Sequence, residues 1–514
     1  MNYTAEDQGL RSQQLAHLKV ADPIGWAEVD ALGIRRLTSD SRTLRSGDTF
    51  VAYPGEARDG RDFIGQAVAH GASSVLVEAA DFKGKINPGV PYLAIPHLRQ
   101  RAGSIASHVY GRPSSRLWMI GVTGTNGKTS CSLWIARALA AAGRKCAVAG
   151  TLGSGFPDAL AAGTNTTPDA VWLHGRLRDW ERDGARAVSM EVSSHGLEQG
   201  RVAGVDFDVA VFTNLTRDHL DYHGDMRSYR NAKARLFRWD SLKCAALNLD
   251  DEFGAELAAR RYSPRVEVIG YGFGKSKRRR IEHVQGRNLA VSADGITFDV
   301  ATPWGCAHVR SALLGRFNAS NLLAALSALL ASRIGLDEAV HALQSMPPAP
   351  GRAERYGGGR RPLVVVDYAH TPDALEKILL TMRETMQARM RRGRQRARQL
   401  YCVFGCGGDR DRGKRPQMGR IAIRCADHVV ITSDNPRNED PLAIVADILE
   451  GVSGECMVIP DRARAVREAI AMARRGDIVV VAGKGHEPYQ EIRGVRHRYS
   501  DIETVQAALK ELAA

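Results

Sequence analysis

Five stretches of the chain are almost unbroken runs of β-branched and aliphatic residues that stop abruptly at a polar residue or glycine. They are "SSVLVE" (73–78), "VAVFTN" (209–214), "PLVVVDYAH" (362–370), "ADHVVITSD" (426–434) and "GDIVVVAGKG" (476–485). A strand with one wet face alternates apolar and polar residues, so an uninterrupted run signals a strand covered on both faces, as in a parallel sheet. Helical patterns lie between the runs. The constraint is therefore an α/β fold with parallel-rich sheets, whose ligands gather at the carboxyl ends of the strands.

At 514 residues, the chain exceeds what one hydrophobic core supports, and about one domain per ~150 residues predicts three. Two stretches dense in Pro, Gly or Ser, "YGRPSSRLW" (110–118) and "MPPAPGRAERYGGGRRP" (346–362), place the domains at 1–112, 113–346 and 347–514. Hydrophobic residues at 44% and charged residues at 25% describe a soluble chain. No run approaches a membrane span, and the first twenty residues lack a secretory pattern, so a cytoplasmic protein is expected. The eight cysteines contain no Cys-x-x-Cys pair, which predicts reduced thiols rather than a zinc knuckle or disulfide framework.

A net charge of +14 raises the question of nucleic acid. Its densest source, residues 383–398, holds seven arginines but no aromatic side chain for base stacking. A solvated helix end or loop is the expectation, no nucleic-acid partner is assigned, and a basic NTP-dependent nucleic-acid motor is the rival from another class.

"GVTGTNGKTS" (121–130) sits between a strand, "LWMIGV", and a helix, "SCSLWIARALAAAG". Backbone N–H groups and the helix dipole at such a junction cradle phosphate. Gly124 and Gly127 permit close approach, Lys128 supplies a point charge, and the Thr129 hydroxyl suits Mg²⁺. The spacing is not that of a Walker loop, since Gly121 to Gly127 leaves five residues between and Gly124 to Gly127 leaves two.

The variant "TGTNGKT" resembles the loop of the Mur ligase family, ATP-dependent amide-forming enzymes of cell-wall synthesis. Further motifs follow in order: "NTTP" (165–168), "MEVSSHGL" (190–197), "FTNLTRDHLDYHG" (212–224), "AKARLF" (232–237), "GRFNASNLLAA" (315–325), "DYAHTPDAL" (367–375), "GCGGDRDRGKRP" (405–416), "DNPR" (434–437) and "GKGHE" (483–487). The resemblance implies a central P-loop ATPase domain, a Rossmann-like C-terminal domain and a smaller α/β N-terminal domain. It also implies a monomer that adds a third amino acid, meso-diaminopimelate, to UDP-N-acetylmuramoyl-L-alanyl-D-glutamate, with ATP and Mg²⁺. The nearest alternative is the lysine-adding relative; a folylpolyglutamate synthase shares the ATP loop without "DNPR".

The resemblance assigns residues as follows. Gly124, Thr125, Asn126, Gly127, Lys128, Thr129 and Ser130 hold phosphate, Asn318 and Asn321 lie near adenine, Asp367 meets ribose and Arg352 reaches the phosphates from the hinge. For the two asparagines, capping of their helix is the alternative. Ser39, Ser41, Glu56, Ala57, Arg58, Asn165, Thr166, Thr167, Ser193, Gln199 and Arg201 match the positions that hold the UDP-substrate. Arg410, Asp434, Asn435, Pro436, Arg437, Gly483 and Glu487 match those that take the incoming amino acid, for which an Asx-Pro turn with a solvated arginine is the plainer reading of "DNPR".

Lys233 is unusual on physical grounds, because the helical stripe Tyr229, Ala232, Leu236, Phe237 places it in the middle of an apolar face. Burial favours the neutral amine, which can capture CO₂ as a carbamate and ligate Mg²⁺, as the family's lysine does. A lysine whose head reaches solvent is the alternative. Glu191 closes the strand-like "ARAVSME", and His219 follows another strand; with Thr129 and Lys233 they complete the implied metal ligands.

Overall fold

The computed structural model describes residues 24–56, 58–80, 82, 90–163, 165–274, 281–292, 294–390 and 398–512. Ala57, residues 391–397 of the arginine-rich stretch and the basic loop residues 275–280 lie outside them. All five apolar runs are strands: Ser74–Glu78, Val209–Phe212, Leu363–Asp367, His428–Ile431 and Ile478–Ala482.

The chain forms two compact units that interleave in sequence: residues 1–121, 144–208 and 238–243 make one, and 122–143, 209–237 and 244–514 the other. The first unit contains a four-stranded parallel sheet, ordered Leu37–Thr38, Thr49–Ala52, Ser74–Glu78, Tyr92–Ile95. It also contains the strands Ala187–Glu191 and Cys146–Gly150, paired in parallel, with Gly153–Phe156 and Ala159–Ala161 added antiparallel at the edge. Strand Trp118–Thr123 starts in the first unit and ends in the second.

In the second unit, Val209–Phe212, Cys244–Asn248, Glu267–Gly272 and Glu282–Ser292 run parallel, followed by the antiparallel Gly295–Thr302 and Gly305–Ser311. A separate six-stranded sheet has the order Glu354–Gly357, Leu363–Asp367, Ile478–Ala482, Leu400–Phe404, His428–Ile431, Met457–Val458, parallel apart from its first strand. Its two faces bury separate clusters. Leu363, Val365, Val480, Cys402 and Phe404 face helices Pro372–Met390 and Arg415–Cys425; Val364, Val366, Val479, Val481 and Val403 face Arg462–Met472 and Asp501–Glu511. Double-sided cover is the physical reason that these strands carry no polar alternation. No described helix is long and apolar enough to cross a membrane.

One ion pair sits inside this second layer. Arg462 Nε and Nη2 donate to the Asp501 carboxylate at 2.8 and 2.7 Å, and both side chains are fully buried. The remaining guanidinium donors reach the Ala482 carbonyl at 2.9 Å and the Ser433 carbonyl at 3.3 Å, the backbone just before "GKGHE" and "DNPR". Removing one partner strands the other charge in the core, so Asp501→Asn should destabilise the protein by about 3–5 kcal/mol in urea denaturation. The apolar double variant Arg462→Met with Asp501→Leu should recover much of that loss.

Candidate active site

The phosphate loop leaves strand Trp118–Thr123 at Gly124 and enters helix Lys128–Ala141 at Gly127. Both glycines have positive φ, +146° and +87°. A Cβ would strike Thr213 Oγ1 at the first and Asn321 Oδ1 at the second, so glycine is required twice. The loop is pinned from "FTN": Thr125 N–H donates to Asn214 O at 2.8 Å, Asn126 N–H to Asn214 Oδ1 at 3.0 Å, and Thr213 Oγ1 to Asn126 O at 2.6 Å.

Lys128 does not project freely. Its Nζ folds back onto the carbonyls of Gly124 and Thr125, at 2.9 Å each. Lys233 Nζ donates to the same Gly124 oxygen at 2.8 Å and lies 4.4 Å from the centre of the Tyr229 ring. Lys233 is 1% exposed, which rules out the solvent-reaching alternative. The sequence reading had the right outcome by a different geometry: helix Met226–Ala234 ends one residue after Lys233, and Leu236 and Phe237 turn inward from a 3₁₀ segment. Burial pushes the Lys233 amine well below the usual lysine range, and the neighbouring Lys128 charge lowers it further.

A cavity of about 710 Å³ opens beside the loop. Asn126, Gly127, Thr129 and Ser130 line it from the loop, Asn318 and Asn321 from helix Arg316–Ala331, and Arg352, Asp367 and Tyr368 from the chain that follows. The asparagines are not caps: Gly315 holds the N-cap position, while Asn318 Nδ2 donates back to Leu314 O at 2.9 Å. Arg352 Nη2 donates to Thr129 Oγ1 at 3.1 Å and its guanidinium lies 4.2 Å over the Tyr368 ring. Arg352 Nε is buried without an acceptor. The Asp367 carboxylate accepts the Ala353 N–H at 2.7 Å; burial raises its pKa while Arg352 pulls it down.

His219, at φ +54°, lies 3.3 Å from Asp218. Burial opposes ionisation of Asp218, but His219, His370 and Lys414 overcome it and hold the carboxyl well below the usual range. Among the described residues, no three His, Cys, Asp or Glu side chains converge on a metal-sized site.

Three of the quoted motifs follow the carboxyl ends of adjacent strands. "GCGGDR" follows Leu400–Phe404, "DNPR" follows His428–Ile431 and "GKGHE" follows Ile478–Ala482. Arg437, at φ +50°, donates from Nη1 to Gly408 O at 2.6 Å, so it is not the solvated arginine of a plain turn. Arg410 is exposed, and Pro436 and Asp434 are buried. Asn435 is less available than expected, because Oδ1 accepts Lys484 Nζ at 2.9 Å and Glu491 N–H at 3.0 Å while Nδ2 donates to Glu487 at 2.9 Å. Gly483 has φ +117°, where a Cβ would press on the Asp434 carboxylate.

In the first unit, Glu191 is buried, accepting Thr151 N–H at 2.7 Å and Thr151 Oγ1 at 3.2 Å, and Thr151 Oγ1 also lies 3.1 Å from Thr166 Oγ1. Thr167 Oγ1 donates to Ser193 Oγ at 3.0 Å, and Arg201 Nη1 to Thr167 O at 2.9 Å. A second cavity of about 250 Å³ is lined by Tyr53, Glu56, Arg99, Asn165, Asp169, Gln199 and Arg201 among others. Glu56 is held by Gln199 and by Arg99, and Tyr53 OH donates to Asp169 at 2.9 Å. Ser39 bonds the other Asp169 oxygen at 3.0 Å, Ser41 turns to Gln66 at 3.0 Å, and neither serine nor the exposed Arg58 lines the cavity.

The sequence matches the Mur ligase middle domain over residues 122–329, the Mur ligase glutamate ligase domain over 351–485 and the Mur ligase family catalytic domain over 33–110. Proteins named UDP-N-acetylmuramoyl-L-alanyl-D-glutamate–2,6-diaminopimelate ligase are 50% identical in Nitrosomonas europaea, covering 93% of this chain and 94% of theirs, and 49% identical in Pseudomonas aeruginosa, covering 94% and 96%. The chain belongs to the Mur ligase family. A solved structure of a ligase with the same name aligns with a TM-score of 0.65 at 39% identity, covering 94% of this chain and 96% of that one. The α/β architecture of this Mur ligase is thus the three-domain fold of its relatives.

Sequence reasoning missed Tyr53, Arg99 and Asp169 of this Mur ligase. Asp169 carried only the signal of a helix N-cap, which it also is, accepting Val171 N–H at 3.0 Å. It also missed Tyr368 and the Asp218 cluster, whose partners are remote in sequence.

The depressed Lys233 pKa makes a stability prediction. The unfolded chain binds that proton more tightly, so stability rises with pH up to the ordinary lysine value of about 10.4. In CO₂-free buffer at pH 7, Lys233→Met should be the more stable protein by about 1 kcal/mol or more, and the gap should close as pH rises towards 10. Urea denaturation at both pH values checks it; a gap independent of pH would mean an ordinary lysine.

Proposed function

We propose that this Mur ligase uses ATP to join meso-diaminopimelate to UDP-N-acetylmuramoyl-L-alanyl-D-glutamate in peptidoglycan precursor synthesis. The observation that carries the reading is the buried Arg352 Nε, a donor without an acceptor in a cavity that also receives the phosphate loop. An anion supplies what it lacks. The names of the relatives supply the substrates. The proposed domain limits remain 1–112 for the UDP-substrate, 113–346 for ATP and 347–514 for the amino acid.

In this reading the γ-phosphoryl group of ATP passes to the D-glutamate γ-carboxylate, the diaminopimelate amine attacks the acyl phosphate, and phosphate leaves to give the amide. The acyl phosphate divides a difficult condensation into two easier steps. Gly124 to Ser130 cradle the phosphates, with Lys128 exchanging its two carbonyl acceptors for phosphate oxygens. Arg352 steadies the transferring charge. Asn318 and Asn321 border the base, and Asp367 accepts from the ribose. Magnesium neutralises phosphate charge when bound. Thr129, His219 and carbamylated Lys233 would offer it ligands in the second unit, with oxygen donors of the kind this ion prefers. Glu191 would be a separate candidate ligand in the first unit. A neutral, buried Lys233 amine is the chemical species that captures CO₂.

Asn165, Thr166, Thr167, Ser193, Gln199 and Arg201, with Tyr53, Glu56 and Arg99, contact the UDP-substrate. Arg437 and Arg410 receive the distant carboxylate of diaminopimelate, and Glu487 its distant amine, with Asp434, Asn435, Pro436 and Gly483 shaping the loops.

Phosphate release should require ATP, the muramoyl dipeptide and diaminopimelate together, and omitting each in turn should abolish it. Turnover stimulated by nucleic acid instead would overturn the assignment. Arg437→Ala removes a charge-assisted bidentate contact and should reduce diaminopimelate kcat/KM by roughly 30- to 1,000-fold while sparing the KM for ATP. Unchanged diaminopimelate use would reject Arg437 as the carboxylate's partner.

A further inference from the structure

Lys484 has no part in the chemistry above, yet it is wholly buried beneath the three loops. Lysine is almost never buried unless paired. Its Nζ donates to Asn435 Oδ1 at 2.9 Å and pairs with Glu487 Oε2 at 3.1 Å. Because Asn435 Oδ1 also takes the Glu491 N–H, the amide has one orientation, with Nδ2 directed at Glu487. One hidden cation therefore orients a buried amide and anchors a carboxylate.

Around these loops, among the described residues, the Glu487 carboxylate pairs with Lys484 Nζ, at 3.1 Å. Arg462 beneath them is cancelled by Asp501 at 2.7 Å. Glu491 also stands 4.0 Å from Arg437 Nε, drawing on the charge that is meant for a ligand carboxylate. Without Lys484 the Glu487 carboxylate loses its paired cation, and an unpaired carboxylate attracts a bare ammonium.

We infer that Lys484 is a positioning residue that sets amino-acid selectivity. By opposing Glu487, it weakens that carboxylate's pull on a bare ammonium and so favours a side-chain end bearing both amine and carboxylate over one bearing an amine alone. The inference rests on the diaminopimelate reading. It deepens that reading by placing discrimination in a residue that does not touch the substrate.

The test compares kcat/KM for meso-diaminopimelate and for L-lysine in the full chain, with the KM for ATP as control. Lys484→Met should lower the diaminopimelate-to-lysine ratio by about 10- to 100-fold without changing the KM for ATP. Lys484→Arg, which keeps the charge, should hold the ratio near that of the parent. If Lys484→Met does not fold, Lys484→Gln decides in its place, since it retains a donor for Asn435 without the charge and should lower the ratio likewise. Equal losses for both amino acids, with the ratio unchanged, would mean that Lys484 is purely structural and would overturn the inference. A parent enzyme that prefers L-lysine would instead overturn the diaminopimelate reading itself.

Discussion

Two lysine amines, Lys128 and Lys233, converge on one backbone oxygen, the carbonyl of Gly124. Burial drives the Lys233 amine towards neutrality, and the neighbouring Lys128 charge adds to the shift. The carbonyl points to both because Gly124 adopts a backbone conformation closed to other residues, and it stays there because Thr213, Asn214 and Tyr229 hold the loop. The fold thus holds a charged Lys128 beside a neutral Lys233 where the proposed reaction brings phosphate, so that one fixed charge is aimed at the transferring group.

Parallel sheets do the rest of the positioning. In the six-stranded sheet every strand after the first points the same way, so the loops after Leu400–Phe404, His428–Ile431 and Ile478–Ala482 open on one edge. Arg462 ties two of those strand ends together from below through the Ser433 and Ala482 carbonyls, with its own charge cancelled by Asp501. Lys484 makes the corresponding tie between the loops. Such buried polar networks are costly unless every member is satisfied, and here each cation has a carboxylate and a carbonyl or amide oxygen. Rigid support of this kind holds side chains from distant segments at fixed distances.

How much of the site was legible follows from how local each signal is. The phosphate loop could be read because two glycines, a lysine and a threonine act within one turn, next to a strand and a helix recognisable by their own patterns. Lys233 could be read because one polar residue among Tyr229, Ala232, Leu236 and Phe237 violates a periodicity. Asp169 could not, since a residue that caps its own helix looks the same whether or not its carboxylate also receives Tyr53 and Ser39. The direction of Ser41 was not legible for a related reason: a serine in a turn says nothing about which way its hydroxyl points, and here it points to Gln66.

The sequence by itself determined the α/β class, the buried strands and the glycine-rich loop between a strand and a helix, because those depend on burial patterns and backbone freedoms that single residues encode. Tertiary structure alone decided which charges meet. Asn435 is spoken for because Lys484 and Glu491 reach it from 49 and 56 residues away, and the Asp218 carboxyl, beside its neighbour His219, is held well below the usual range with the further help of His370 and Lys414 from distant segments. Electrostatic energies depend on distance and on the water excluded between groups, and neither quantity exists until the chain has folded.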